Sequence, residues 1–172
     1  MTIAIVLRLD AETCGYIDAM AEALPDRCHR NPSEIYPPHL RLAVYSDAVD
    51  PGDIDKALAT LVGAWNVLPA TLAGIGVFPG DPPTLWLAVV PTIELLTRHA
   101  NLHRAMTDLP THPTYEVGGW VPHVTLGRTH FAADTIKALA ATWDGLIVGR
   151  LASLDLIRTD PLVVLSRRLL RG

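Results

Sequence analysis

Pro38-His39-Leu40-Arg41-Leu42 recurs as Pro122-His123-Val124-Thr125-Leu126, 84 positions later in a chain of 172 residues. Each copy reads Pro-His-apolar-polar-Leu, and a helical pattern follows each. An offset of about half the chain predicts two similar lobes related by an approximate two-fold. Side chains alternate across a strand. In the first copy Leu40, Leu42 and Val44 are therefore expected to face the core, with His39, Arg41, Ala43 and Tyr45 on the other side. In the second, Val124 and Leu126 point inward while His123 and Thr125 point outward. Lobes that face each other would set the two imidazoles across one groove. Imidazole takes or gives a proton near pH 7, so a facing pair suits acid–base catalysis. A single histidine at a strand start is more often a surface or hydrogen-bonded residue. The repetition is what points to a shared site.

The rest of the chain mixes strands and helices. Ile3 to Leu9 reads as a strand, and Asp10 caps a helix running to Leu24, ended by Pro25. A polar connection holding Arg27, His29, Arg30 and Asn31 leads to the strand from His39 to Tyr45. Asp50, with Pro51 at the first helical position, opens a helix to about Asn66. Leu68 to Phe78 and Thr84 to Val90 form a hairpin around Pro79-Gly80-Asp81-Pro82-Pro83. Thr92 caps a helix to about Asp108, and a loop spans Leu109 to Gly119. A strand from Trp120 to Arg128 and a helix from Ala132 to Trp143 follow. Leu146 to Ile157 and Leu162 to Leu170 close the chain across the turn Thr159-Asp160-Pro161. Steady β-α alternation is lacking. The expected fold is α+β and bilobal, with two pseudo-two-fold-related, mainly antiparallel sheets, flanking helices and a central groove, all in one domain over 1–172.

Composition narrows the function. The chain is 49% hydrophobic and 19% charged, which is globular rather than disordered. A formal net charge of −4 excludes a broadly basic nucleic-acid coat. It leaves room for a local cationic cleft, and 12 of the 14 basic residues are Arg, whose planar fork grips phosphate. The N-terminal stretch lacks a basic n-region and no apolar run approaches about 18–20 residues. A cytoplasmic protein without a membrane anchor is the expectation. Cys14 and Cys28 lack CxxC spacing and read as small buried or half-buried thiols.

Several further residues are candidates, each with a plain alternative. Tyr45, Trp86 and Trp120 can stack a base or pack in the core. His130 stands near the second copy as a groove-edge or loop residue. Arg8 and Arg128 are candidate groove cations, although Arg128 falls on the face opposite His123 unless the strand bulges. Arg167, Arg168 and Arg171 read as a solvated strand end. His99 and His103 share a helix face at i, i+4. Zincins place Glu directly after the first His, whereas Ala100 stands here, so no metal site is expected and the pair reads as a surface or groove-rim face. No Gly-rich phosphate loop occurs.

The paired copies resemble the His-x-Thr/Ser-x signatures of the 2H phosphoesterase superfamily, in particular its 2′-5′ RNA ligase-like branch. Trp120-Val121-Pro122-His123-Val124-Thr125-Leu126-Gly127-Arg128 carries the closest likeness. Leu72-Ala73-Gly74-Ile75-Gly76-Val77-Phe78, Leu85-Trp86-Leu87-Ala88-Val89, Leu102-His103 and Ser153-Leu154-Asp155-Leu156-Ile157-Arg158 extend it along the chain. The resemblance implies a bilobal fold and cofactor-free, metal-independent chemistry. It implies substrates that are RNA ends or small nucleotides bearing a 2′,3′-cyclic phosphate, or 2′-5′ linkages.

Carried over, it makes His39 and His123 the catalytic pair and Thr125 a phosphate-binding hydroxyl. It departs at Arg41, which stands where the family has Thr or Ser. Arg41 either replaces a hydroxyl contact with a charged, bidentate one, or fills the groove, or turns away to a carboxylate. The expectation is a monomeric 2′,3′-cyclic phosphodiesterase acting on a small nucleotide or RNA terminus, not on DNA. The alternative is a nucleotide- or RNA-binding module on the same scaffold, catalytically weak because of Arg41.

Overall fold

A computed structural model describes residues 2–22, 36–130 and 132–172. The helix end expected at Leu24–Pro25, and the connection carrying Arg27, Cys28, His29, Arg30 and Asn31, lie outside the described residues. The elements run β1 (Thr2–Leu9), α1 (Ala11–Glu22), β2 (His39–Ser46), α2 (Pro51–Val62), β3 (Leu68–Phe78), β4 (Thr84–Val89), α3 (Ile93–Ala105), β5 (His123–Arg128), α4 (Ala132–Thr142), β6 (Ile147–Thr159) and β7 (Leu162–Leu169). A short 3-10 turn, Pro113–Tyr115, precedes β5. The caps are those the sequence suggests. Asp10 Oδ1 accepts from the Thr13 amide at 2.9 Å, Asp50 Oδ1 from Gly52 at 2.8 Å, and Thr92 Oγ1 from Leu95 at 3.1 Å. Each such cap contributes roughly 1 kcal/mol.

All seven strands join one sheet in the order β1-β2-β5-β4-β3-β6-β7, and β1 also pairs with β6. Every pairing between these strands is antiparallel. The α+β class is as expected, and the two halves are hydrogen-bonded into a single sheet. Their relation is visible in the connectivity. Exchanging β1-α1-β2-α2-β3 with β4-α3-β5-α4-β6 maps the six pairings of the strand ring onto themselves as a set, with β2–β5 and β3–β6 each mapping to itself, and β7 is appended outside the repeat. Between β2 and β5 the contact is narrow, one register pair, Leu40 with Val124. These are equivalent residues of the two copies, so the pseudo-dyad passes between them.

Equivalent irregularities sit in both copies. On β2 the register with β1 runs Arg41↔Val6 and then Ala43↔Ile5, which leaves Leu42 as an extra residue. On β5 the register with β4 runs Thr125↔Trp86 and then Gly127↔Leu85, which leaves Leu126 extra. A bulge inserts one residue and inverts the side-chain alternation beyond it. Strict alternation places Tyr45 in the groove and Val44 in the core. The structure reverses both: Ala43 and Tyr45 join the main core, and Val44 packs on the other face with Ala4, Val6, Tyr36 and Ile157. Tyr45 is 1% exposed and its hydroxyl donates to Met106 Sδ at 3.1 Å. It is a core residue, not a stacking one.

The groove face beside β1 carries a buried charge. Asp155 on β6 is fully buried. Arg167 of β7 grips its carboxylate through Nε at 2.9–3.0 Å and Nη2 at 2.6 Å, and the Tyr36 hydroxyl donates to it as well. Arg167 and Arg168 therefore do not form the solvated strand end expected of them, since Arg168 binds Asp55 of α2 at 2.8 Å. A buried carboxylate is tolerated only with partners of this kind. No helix among the described residues is long and apolar enough to cross a membrane.

Acid sensitivity follows from the packing of α3. His99 is 2% exposed, and burial, with the neighbouring His103 charge, holds its pKa down at about 4 instead of 6.5. Between those values the unfolded chain binds a proton that the folded chain refuses. This contribution to stability is complete above about pH 6.5 and is lost as the pH falls toward 4. Thermal melts across that range should show a falling Tm, and His99→Phe, which keeps the ring and removes the titration, should flatten the slope.

Candidate active site

His39 and His123 open equivalent strands, each directly after a proline. In each, Nδ1 meets the carbonyl two residues back, Pro37 O at 2.9 Å and Val121 O at 2.7 Å. A carbonyl only accepts, so in both neutral rings Nδ1 carries the hydrogen and Nε2 the lone pair. The Cys14 thiol of α1 donates to the carbonyls of Leu9 and Pro38 at 3.5 and 3.6 Å, which ties the entry to β2 onto the helix.

The Leu40↔Val124 pair sets the mutual placement. Extending that antiparallel register by one residue each way places His39 opposite Thr125 and Arg41 opposite His123. The two histidines are then diagonal neighbours on one face, about 7–8 Å apart by sheet geometry and somewhat less at Cβ. A gap of that size admits a phosphate group between two hydrogen-bonding nitrogens.

Arg41 is half-buried, and its Nε donates to His39 Nε2 at 3.4 Å. Burial holds the His123 pKa below its ordinary value, and the Arg41 charge lowers it further. The guanidinium thus faces the site and does not turn away to a carboxylate. Thr125 is exposed on the same face. The second bulge also brings Arg128 round to this face, where it sits in register with Thr84. A cavity of about 250 Å³ lies beside His39, lined by Tyr36, His39, Arg41, Thr84, Thr125 and Arg128 among others but not by His123, and none of the described residues in its wall is a carboxylate.

The remaining sequence candidates divide. Trp86 stays beside the site. It stacks on Phe78 with ring centres 4.8 Å apart and lies 5.7 Å from the His123 ring. Gly76 permits this, since a Cβ there would come within 2.1 Å of the indole. Arg8 stands in register with His39, but its guanidinium lies 5.8 Å over the Tyr36 ring and is not among the residues that line the cavity. Trp120 is buried in the core and does not offer a stacking face to the groove. Its ring lies flat on His99 at 4.1 Å, and Nε1 donates to the Arg41 carbonyl at 2.9 Å. Pro122 precedes β5, so Trp120 falls outside the strand and packs against α3 instead. His130 is exposed and pairs with Asp81 at 3.3 Å, outside the cavity.

His99 and His103 are not a surface or rim face. His99 is buried, the two Nε2 atoms are 3.0 Å apart, and they meet Tyr115 O at 3.0 Å and Leu42 O at 3.2 Å. Among the described residues no three His, Cys, Asp or Glu side chains cluster as metal ligands do.

Sequence reasoning missed Tyr36. It packs edge-on against His39 with centres 5.0 Å apart and hydrogen-bonds Asp155. Burial, reinforced by that carboxylate, pushes its hydroxyl well above the usual phenol range. A lone Asp in the apolar run Ser153-Leu154-Asp155-Leu156-Ile157 was the available signal, because a charge amid buried positions demands partners.

A family model of the 2′-5′ RNA ligase superfamily matches residues 10–161. No curated protein sequence matches. Among solved structures, the protein TT0787 of Thermus thermophilus is similar with a TM-score of 0.69 and 17% identity over 100% of this chain and 99% of that one. Escherichia coli LigT complexed with 3′-AMP has a TM-score of 0.65 and 20% identity, covering 99% of this chain and 98% of its own. Kluyveromyces marxianus Usb1 is more distant, with a TM-score of 0.51 and 14% identity over 95% and 97%. At these identities the structural likeness is one of fold. The family match over residues 10–161, together with that fold, shows that this chain belongs to the 2′-5′ RNA ligase superfamily of 2H phosphoesterases.

Proposed function

We propose that this protein is a metal-independent phosphoesterase that opens 2′,3′-cyclic phosphodiesters on RNA ends or small nucleotides. The observation that carries this reading is the pair of imidazoles, each with Nδ1 tied to a carbonyl, set diagonally across the pseudo-dyad with Arg41 and Thr125 between them. Family membership supports phosphoester chemistry. The LigT structures complexed with 3′-AMP, ATP and NADP+ support a nucleotide ligand.

In hydrolysis, water attacks phosphorus and one ribose oxygen leaves. A neutral imidazole takes the water proton, and an imidazolium delivers a proton to the departing oxygen. Charge grows on the non-bridging oxygens as the five-coordinate state forms. Arg41, Thr125 and Arg128 are donors placed to hold it. With its Nε2 accepting from Arg41, His39 is read as the base and His123 as the acid in this direction. In ligation the roles exchange. Trp86, backed by Phe78, offers an aromatic face for a base beside His123.

The same Arg41 contact favours a second reading, in which the guanidinium occupies His39 and the protein binds nucleotides without turning them over. Incubation with 2′,3′-cyclic AMP in the presence of a chelator separates the two, because only an enzyme yields the opened monophosphate.

If the reading holds, His39→Ala and His123→Ala each lower kcat by at least about 10²-fold while the melting temperature stays near wild type. Retention of wild-type rates by both would sink the assignment. With a p-nitrophenyl phosphodiester, whose leaving group needs no proton, His123→Ala should regain most of the lost rate and His39→Ala should not. The reverse pattern exchanges the two roles. The acid must be charged to act, so kcat/KM should fall as the pH rises through the free-enzyme pKa of His123. Its lowered value puts that basic limb below pH 6.5.

A further inference from the structure

The core behind β2 contains three polar rings where aliphatic side chains would pack as well. His99, His103 and Trp120 form a layer between α3 and the strand, with the His99 and Trp120 rings stacked 7° from parallel. Burying an imidazole or an indole N–H is costly unless it finds a partner. The partners are informative. Trp120 Nε1 donates to Arg41 O at 2.9 Å, and the single His103 Nε2–H is shared between Leu42 O at 3.2 Å and His99 Nε2 at 3.0 Å. Leu42 is the bulged residue, with no register partner on β1. Both bonds therefore land on successive carbonyls where the ladder is interrupted and where the chain decides which side chains enter the groove.

We propose that Trp120 and His103 are positioning residues: their hydrogen bonds to the Arg41 and Leu42 carbonyls lock the β2 bulge in phase and so aim Arg41 at His39 and His123. The inference rests on the reading of Arg41 as a groove residue given above. Arg41 is long, with several rotatable bonds, and reaches both histidines only if its Cα–Cβ direction is fixed. A bulge free to migrate by one residue would exchange Arg41 for an apolar neighbour on that face. The clamp holds the backbone from the core side, so it touches neither substrate nor reacting atoms. His99 supports it by stacking on Trp120.

The test reads Arg41 through His123. On the elements packed around His123, Arg41 of β2 is the charged neighbour, whereas β3 and β4 present Phe78 and Trp86. Imidazole proton resonances of His123 are titrated in the full chain, and kcat and KM for 2′,3′-cyclic AMP are measured beside them. The variants are Trp120→Phe, His103→Leu, His103→Gln, Arg41→Thr and the Trp120→Phe/Arg41→Thr double.

Trp120→Phe and His103→Leu should each raise the His123 midpoint, as Arg41→Thr does, and lower kcat about tenfold. His103→Gln, which keeps a donor, should stay near wild type. The double variant should go no further than Arg41→Thr alone, because the clamp acts through Arg41. Additive effects, or an unmoved His123 midpoint in folded Trp120→Phe and His103→Leu, overturn the proposal. Failure of both to fold assigns the rings to stability alone and overturns it too. A wild-type protein that does not open cyclic AMP refutes the enzymatic reading, while the His123 titration still decides the clamp.

Discussion

One contact organises the candidate site: the antiparallel pairing of Leu40 with Val124, where the two copies of the motif meet. An antiparallel pair has a local two-fold of its own, and here it coincides with the relation between the halves. Both residues are fully buried, so the seam is held by the core beneath it. The flanking positions on the opposite face fall together as a consequence. His39, Arg41, His123 and Thr125 lie within one residue of the seam. No loop has to close to assemble them, and the gap between the imidazoles is set by strand spacing.

The symmetry of the backbone is broken in the side chains, and the break gives the groove its chemistry. Equivalent positions carry Arg41 and Thr125, Arg8 and Ala88, and Val6 and Trp86. The first half is cationic and the second is aromatic around His123. Burial tilts His123 toward its neutral form, and the Arg41 charge adds to this. On the other wall, Asp155 is consumed by Arg167 and Tyr36, so its charge is neutralised within the scaffold. A described lining without carboxylates then favours an anion.

The groove also depends on what lies behind it. A strand that carried its alternation unbroken would send Tyr45 into the site and Arg128 into the core. The two bulges reverse this, and on β2 the carbonyls at the bulge are held by Trp120 and His103. The polar rings of the core are thus explained by the backbone they satisfy. They also bring an acid-labile element, His99, into the interior.

Much of this was legible in the residues themselves. The repeat, the caps at Asp10, Asp50 and Thr92, and all seven strands follow from apolar periodicity and from short-range hydrogen bonds that a side chain makes with its own neighbourhood. So does the matching local geometry of His39 and His123, because identical local context produces identical local geometry. Tertiary structure alone decided the fates of Tyr45, Trp120, His99, Arg128 and Tyr36. Which face a residue beyond a bulge takes depends on the register with a partner strand, and whether a ring is buried depends on what packs over it. Both are relations between segments far apart in the chain, and no local pattern encodes them.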